Sequence, residues 1–204
     1  MKKTSKIIIC LLLIALAFTV TSCTQTAATE QEVRTFNKDG FQYSIIEVLE
    51  GEKVVDTYAK MTKYLGAAEN VTIPDKVDSI KVTTISSLAF YSSKIKSVTI
   101  PEGVTVIETF AFGYSDIISV DIPSTIKSIG DYAFINCLRL KEVVISAATK
   151  PTVGAYSFKY YNTETKDYAV SDALEIKVPS RAVYKPDSNN DHWTQYQNNI
   201  KEVA

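Results

Sequence analysis

Histidine occurs once in this 204-residue chain, tryptophan once and cysteine three times, and the seven glycines never gather into a cluster. Each scarcity removes a class of chemistry. A lone His192 supplies neither a histidine pair for a metal nor, without a Gly-x-Ser-x-Gly turn or a converging partner, a nucleophilic triad. No calcium-loop spacing of acidic residues and no glycine-rich phosphate cradle is present. Charge of one sign is also missing: the formal net charge is −1, so no basic field invites nucleic acid. These absences predict a protein with no catalytic residues, no metal and no cofactor. Paired carboxylates of the glycosidase kind stay open in principle, but nothing singles out a pair.

Long hydrophobic runs are also absent. The one extended stretch, Ile7 to Phe18, follows Lys2, Lys3 and Lys6 and gives way to Val20-Thr21-Ser22-Cys23. It falls short of the roughly 20 apolar residues of a spanning helix and has the layout of a secretory signal. The small residues ahead of Cys23 resemble the bacterial lipobox. The resemblance implies cleavage after residue 22 and a diacylglycerol on Cys23, with membrane contact through that lipid alone. Residues 23–35, rich in Thr, Ala, Gln and Glu, then read as a flexible tether. With Cys10 lost in the signal and Cys23 lipidated, Cys137 is left without a disulfide partner.

What the chain does have is a repeat. Ala89-Phe90, Ala111-Phe112 and Ala133-Phe134 recur at intervals of 22 residues. Val82, Val104 and Ile126 keep step with them, as do Ile85, Ile107 and Ile129, and the small series Ser93, Ser115 and Cys137. Between these blocks lie Val71-Thr72-Ile73-Pro74, Val98-Thr99-Ile100-Pro101, Val120-Asp121-Ile122-Pro123 and Ile176-Lys177-Val178-Pro179. Their alternation predicts strands buried on one face, ended by a proline that cannot extend the ladder. A unit this short cannot bury its own apolar face, so the copies must stack as a solenoid whose equivalent side chains form ladders.

The pattern of Ile-Pro, spaced Val or Ile, Ala-Phe, a small residue or Cys, then Leu or Ile closely resembles the BspA-like leucine-rich repeat family. Residues 126–145, IKSIGDYAFINCLRLKEVVI, are its clearest copy. The resemblance runs from about Val71 to Ile145 and more loosely through Phe158, which follows Phe134 by 24 residues. It implies a right-handed leucine-rich-repeat-like stack, mainly β with short helical or irregular return segments, and a role in cell-surface interaction or adhesion.

The expected organisation is a signal over 1–22, the tether over 23–35, and one domain over 36–204. Within that domain residues 36–66 form an N-terminal β cap, the repeats run from about 67 to 179, and residues 180–204 close the stack around Trp193, Tyr196 and Ile200. The first repeat carries extra residues near Asp78 to Lys81, a longer turn. There Asp78-Ser79-Ile80 matches a loose O-glycosylation pattern.

Two surfaces are candidates for binding. The outward strand positions fall into one row of Asn70, Ser97, Ser119, Glu142 and Glu175 and another of Thr72, Thr99, Asp121, Val144 and Lys177. Ser97, Thr99, Ser119, Asp121 and Glu142 mark the centre of that polar face. The alternative is a tyrosine edge in the return segments, marked by Tyr91, Tyr114 and Tyr132, because tyrosine offers large contact area at low entropy cost. Cys137 reads as a small core residue. The functions to weigh are a monomeric, lipid-anchored envelope module that binds a protein or glycan, a structural lipoprotein facing the periplasm, and a carbohydrate-active accessory. Surface-exported lipoproteins of the Bacteroidetes group resemble one another in carrying acids soon after the lipidated cysteine. Here the first acid is Glu30, which weighs toward the periplasm.

Overall fold

The computed structural model describes residues 27–181, 183–185 and 192–203; the expected signal and Cys23 lie outside them. The chain begins as a three-stranded antiparallel meander, β1 (Thr29–Lys38), β2 (Phe41–Glu50) and β3 (Lys53–Tyr64). Asp39 and Gly40 join the first two strands with φ of 49° and 81°. A two-residue turn of that hand matches the twist of the flanking strands and favours Asp-Gly.

The meander is more than a lid on the stack. β3 pairs in parallel with β6 (Ile80–Ile85), with Met61 opposite Ile85, so it continues the sheet and satisfies the open edge of the first coil. The tether expected over 23–35 is corrected here: residues 29–35 belong to β1 and pair with β2. Almost every β1 side chain is exposed, so apolar alternation could not announce the strand. Main-chain pairing holds it instead, with Thr35 Oγ1 2.8 Å from Ser44 Oγ and with Arg34 and Lys38 paired to Asp78. Its outer edge is blunted by charge and by a bulge between Glu32 and Arg34, the usual protection of an unpaired strand.

From β4 (Asn70–Thr72) onward the chain coils. One parallel sheet contains β4, β7 (Ser97–Thr99), β9 (Ser119–Ile122), β11 (Glu142–Ile145), β15 (Glu175–Val178) and β16 (Ile200–Glu202). Its register places Val71, Val98, Val120, Val143, Ile176 and Ile200 in a single buried row. All but the last are the expected strands; β16 extends the sheet within the segment expected only to cap it. The return path differs from expectation, because it carries a second parallel series: β6, β8 (Val106–Ile107), β10 (Ser128–Ile129) and β12 (Thr152–Val153). Strands of two residues are too short to show alternation, although Ile85, Ile107, Ile129 and Val153 fill the matching buried row. The only helical element among the described residues is a 3₁₀ turn at His192–Tyr196.

The expected long first turn is a hairpin of β5 (Lys76–Val77) against β6, with Asp78 and Ser79 both at positive φ. The fourth coil is lengthened by the hairpin β13 (Lys159–Asn162) and β14 (Asp167–Val170).

Between the two sheets runs a column of rings. Phe90, Phe112 and Phe134 stack at 4.9 and 4.8 Å with planes within 6° of parallel, and Phe158 follows at 5.2 Å. Tyr64 closes the lower end at 5.3 Å, and Tyr196 meets Phe158 edge-on at 5.4 Å. The upper end is sealed further by buried Trp193, whose indole N–H donates to Pro151 O at 2.7 Å, and by Tyr184, whose hydroxyl donates to Ala147 O at 2.8 Å.

Close packing between coils leaves no room for a side chain at Gly130 or, most tightly, at Gly154. A Cβ on Gly154 would lie 2.3 Å from Asp131 N and 2.4 Å from Asp131 Oδ1. Gly154 cannot retreat, since its N–H is tied to Ile129 O at 2.7 Å and the next N–H, of Ala155, to Asp131 Oδ1 at 2.7 Å. Gly154→Ala is therefore expected to cost about 1–3 kcal/mol in urea denaturation, the range for overpacking. A loss below about 0.5 kcal/mol, the scale of an ordinary surface substitution, would show that the coils do not approach this closely.

Candidate functional site

The outward strand face is placed as the alternation predicts. Asn70, Ser97, Ser119, Glu142 and Glu175 form one ladder, and Thr72, Thr99, Asp121, Val144 and Lys177 the next. Part of its polarity is engaged within the face or beside it. Ser97 Oγ donates to Asn70 Oδ1 at 2.7 Å, Lys96 pairs with Glu69, and Lys177 with Glu142. The hydrogen bond that Lys177 donates to the Glu142 carboxylate holds its ammonium above its usual pKa. Ser119, Thr99 and Asp121 sit between these pairs on a flat strip of strand.

The turn edge is built differently. Each coil rounds its Ala-Phe corner through residues in left-handed backbone: Leu88, Phe110, Tyr132 and Tyr156 have φ of 63°, 57°, 56° and 58°, and Ser92, Tyr114 and Asn136 have 56°, 60° and 52°. That conformation costs an L-residue roughly 1–2 kcal/mol, and the corner offsets it by pairing with the next coil. Phe90 N–H donates to Ala111 O, Phe112 N–H to Ala133 O and Phe134 N–H to Ser157 O at 2.7–2.8 Å. The left-handed residues then throw their side chains outward as a second aromatic column.

Phe110 stacks on Tyr132 at 4.9 Å, and Tyr132 on Tyr156 at 5.3 Å, with planes within 6°. Tyr168 meets Tyr156 edge-on at 5.0 Å, and Tyr161 meets Tyr168 at 5.3 Å. At the other end Tyr91 touches Phe110 edge-on at 6.4 Å and Tyr114 at 5.3 Å. The three tyrosines expected to mark one edge therefore divide. Tyr91 and Tyr114 are adjacent and exposed, 44% and 48%, whereas Tyr132 is sandwiched and only part-exposed. Phe110, Tyr156 and Tyr168 join them. The spacing of Leu88, Phe110 and Tyr132, 22 residues apart, was the signal for this column.

Where Tyr114, Asn136, Leu138, Tyr161 and Tyr168 meet, the edge opens into a cleft of about 510 Å³. Leu138 projects from its rim, 75% exposed. Beside it a smaller recess of about 120 Å³ runs toward Phe134, Leu140, Phe158 and Leu174. Cys137 borders that recess but is buried, its thiol donating to Phe112 O at 3.1 Å and lying 3.4 Å from Ser115 Oγ in the expected register. Burial pushes the thiol pKa up to about 11, the reverse of a nucleophile. His192 is part-buried in the closing 3₁₀ turn. No group of three or more His, Cys, Asp or Glu that could hold a metal occurs among the described residues. The arrangement is suited to contact, through ring edges, hydroxyls and open clefts, the one at Asn136 and another of about 390 Å³ beside Leu88, Tyr91 and Ser92.

Comparison with known proteins agrees with the coil geometry. The BspA type leucine rich repeat region matches residues 63–173 in six copies. A leucine-rich repeat protein from Bacteroides capillosus is 24% identical, with 72% of this chain and 99% of that one superposed at a TM-score of 0.55. The leucine-rich repeat protein of T. pallidum is 22% identical over 74% of this chain and 63% of its own length, at a TM-score of 0.54. Both likenesses are of fold. No curated protein matches the sequence. With the family pattern spanning more than half of its length and two parallel sheets stacked in its register, the chain belongs to the BspA type of leucine-rich repeat proteins.

Proposed function

We propose that this protein is a lipid-anchored binding module of the cell envelope that contacts a protein or glycan partner through its turn edge. The observation that carries the reading is the outer aromatic column, which ends in an open cleft at Asn136. Tyrosine rings already ordered by stacking lose little side-chain freedom on contact, and contiguous exposed aromatics are a usual sign of an interaction surface. The strand face is the weaker candidate because it presents no aromatic side chain and two of its four charges, Glu142 and Lys177, pair with each other. The anchor rests on the layout of residues 2–23, with Cys23 as the acylated residue.

The test compares two variants on an array of immobilised glycans and matrix proteins. Tyr91→Ser, Tyr114→Ser and Tyr132→Ser together are expected to weaken whatever wild-type binding is seen by about tenfold or more, a loss of about 1.4 kcal/mol. Thr99→Lys with Asp121→Lys should leave it unchanged. Circular dichroism confirms that both variants are folded. Loss in the lysine variant with retention in the serine variant would move the contact to the strand face.

A periplasm-facing scaffold is the second reading, favoured by the absence of acidic residues between Cys23 and Glu30. Protease treatment of intact cells, with a periplasmic control, separates the two. Digestion while the control survives supports the surface module, and protection until the outer membrane is opened supports the scaffold.

A further inference from the structure

We propose that the opening at Asn136 is a slot for one ring of a neutral saccharide chain. The inference rests on the turn edge being the contact surface, and it names the ligand chemistry of that surface. Tyr114 and Asn136 are successive rungs of one left-handed row: Tyr114 N–H donates to Ile135 O and Asn136 N–H to Lys159 O, each at 2.8 Å. Tyr161 lies over the next rung, its N–H donating to Asn136 Oδ1 at 2.6 Å. Rungs of a parallel stack are about 4.8 Å apart. An aromatic residue at position 136 would thus sit within stacking distance of both neighbours, as Tyr132 does between Phe110 and Tyr156.

Asparagine leaves that place open. Tyr114 has no ring contact with Tyr161 or Tyr168, yet all three line one cleft with Asn136 and Leu138. The gap spans about two rungs, roughly 10 Å, which is the room one further ring needs.

The polar groups of the slot select the ring. No lining side chain carries a charge at neutral pH, so nothing there rewards an ionic ligand. Asn136 Oδ1 is occupied by the Tyr161 amide, whereas its Nδ2 and the hydroxyls of Tyr114, Tyr161 and Tyr168 make no hydrogen bond among the described residues. A pyranose presents C–H groups on its ring faces and hydroxyls around its rim, matching aromatic walls with unengaged donors at their edges. A partner's phenyl ring would fill the same space but leave those donors unused. Binding sites of mostly apolar walls with a few placed polar groups follow the same logic.

The experiment uses saturation-transfer NMR and calorimetric titration of the folded protein. The probes are unbranched neutral oligosaccharides of glucose, mannose, galactose and N-acetylglucosamine. At least one series should bind, and raising the salt concentration should not weaken it. Asn136→Tyr places in the gap the residue that Tyr114 already holds in the same backbone conformation one rung below. It is expected to weaken the saccharide by about tenfold or more. Tyr114→Ala, which removes a wall, should weaken it comparably and covers the case in which the filled slot does not fold.

No binding of any series up to about 10 mM, or an affinity unchanged in both variants, overturns the saccharide slot. Should the probes fail while edge-dependent binding to an arrayed protein persists, the slot falls and the turn-edge reading stands. Should a tyrosine- or proline-rich peptide be the ligand that Asn136→Tyr displaces, the slot takes protein and the saccharide assignment is wrong. Failure of both saccharide and edge-dependent binding overturns both readings.

Discussion

Replacing Phe112 with alanine is expected to destabilise the protein by about 3–5 kcal/mol, the range for a fully buried aromatic. The ring is 0% exposed and stacked on both faces, against Phe90 at 4.9 Å and Phe134 at 4.8 Å. In a solenoid the interface between neighbouring coils carries the stability that each coil lacks alone, and Phe112 contributes to two such interfaces. Little can collapse into the space, because the backbone at this corner is tied rung to rung by Phe90 N–H to Ala111 O and Phe112 N–H to Ala133 O. For a chain of this length the midpoint should fall by about 2–4 °C per kcal/mol, so by about 6–20 °C in a thermal melt. Tyr132→Ala is the internal comparison. Its ring is also stacked on both faces but partly exposed, and it should cost about 1–2 kcal/mol. Equal losses in the two variants would show that the inner column is no more a core than the outer one. Where Phe112→Ala fails to fold, Phe112→Leu, with an expected loss of about 1–2 kcal/mol, keeps the comparison measurable.

That inner column was legible because a ladder demands the same side chain at every rung. Ala-Phe at each coil, the Val-Thr-Ile-Pro strands and the Ser93, Ser115, Cys137 series are all consequences of one packing geometry repeated. The two outward strand rows followed from the same alternation, and the structure places every one of those residues in the predicted rung.

Legibility failed where a feature depends on something other than burial. β1 is held by main-chain pairing and surface ion pairs, so its sequence reads as a tether. The second parallel sheet uses strands too short for a pattern. The outer aromatic column changes identity from Leu88 to Phe110, Tyr132 and Tyr156 as it climbs, and the insertion before Phe158 puts its last member out of step. The cleft was hardest to see, since it is defined by the ring that Asn136 does not supply.

The second large effect is expected in alkali. Burial pushes the Cys137 thiol from its ordinary value of 9.0 up to about 11, and the Tyr43 phenol from 10.0 up to about 12. Burial also raises Tyr184 and Tyr196. These are acids whose neutral form the fold prefers, so the native state holds more protons than the unfolded chain once the pH passes the unfolded value. Their contribution is fully present below about pH 9 and is lost as the pH climbs through about 11 for Cys137 and about 12 for Tyr43. At about 1.4 kcal/mol per unit, Cys137 alone accounts for a loss on the order of 2–3 kcal/mol, and the tyrosines deepen it at higher pH. The melting temperature should therefore be level from neutral pH to about 9 and fall steeply beyond. Cys137→Ser separates the thiol from the phenols. Ser115 already occupies the equivalent position one coil below, so serine is accommodated there, and the variant should delay the onset of the fall by about one pH unit. A wild-type midpoint that stays level past about pH 11 would mean that Cys137 is not sealed within the stack. The same seal predicts that a thiol reagent modifies Cys137 only as fast as the coils open, with a rate that rises in step with the alkaline loss of structure.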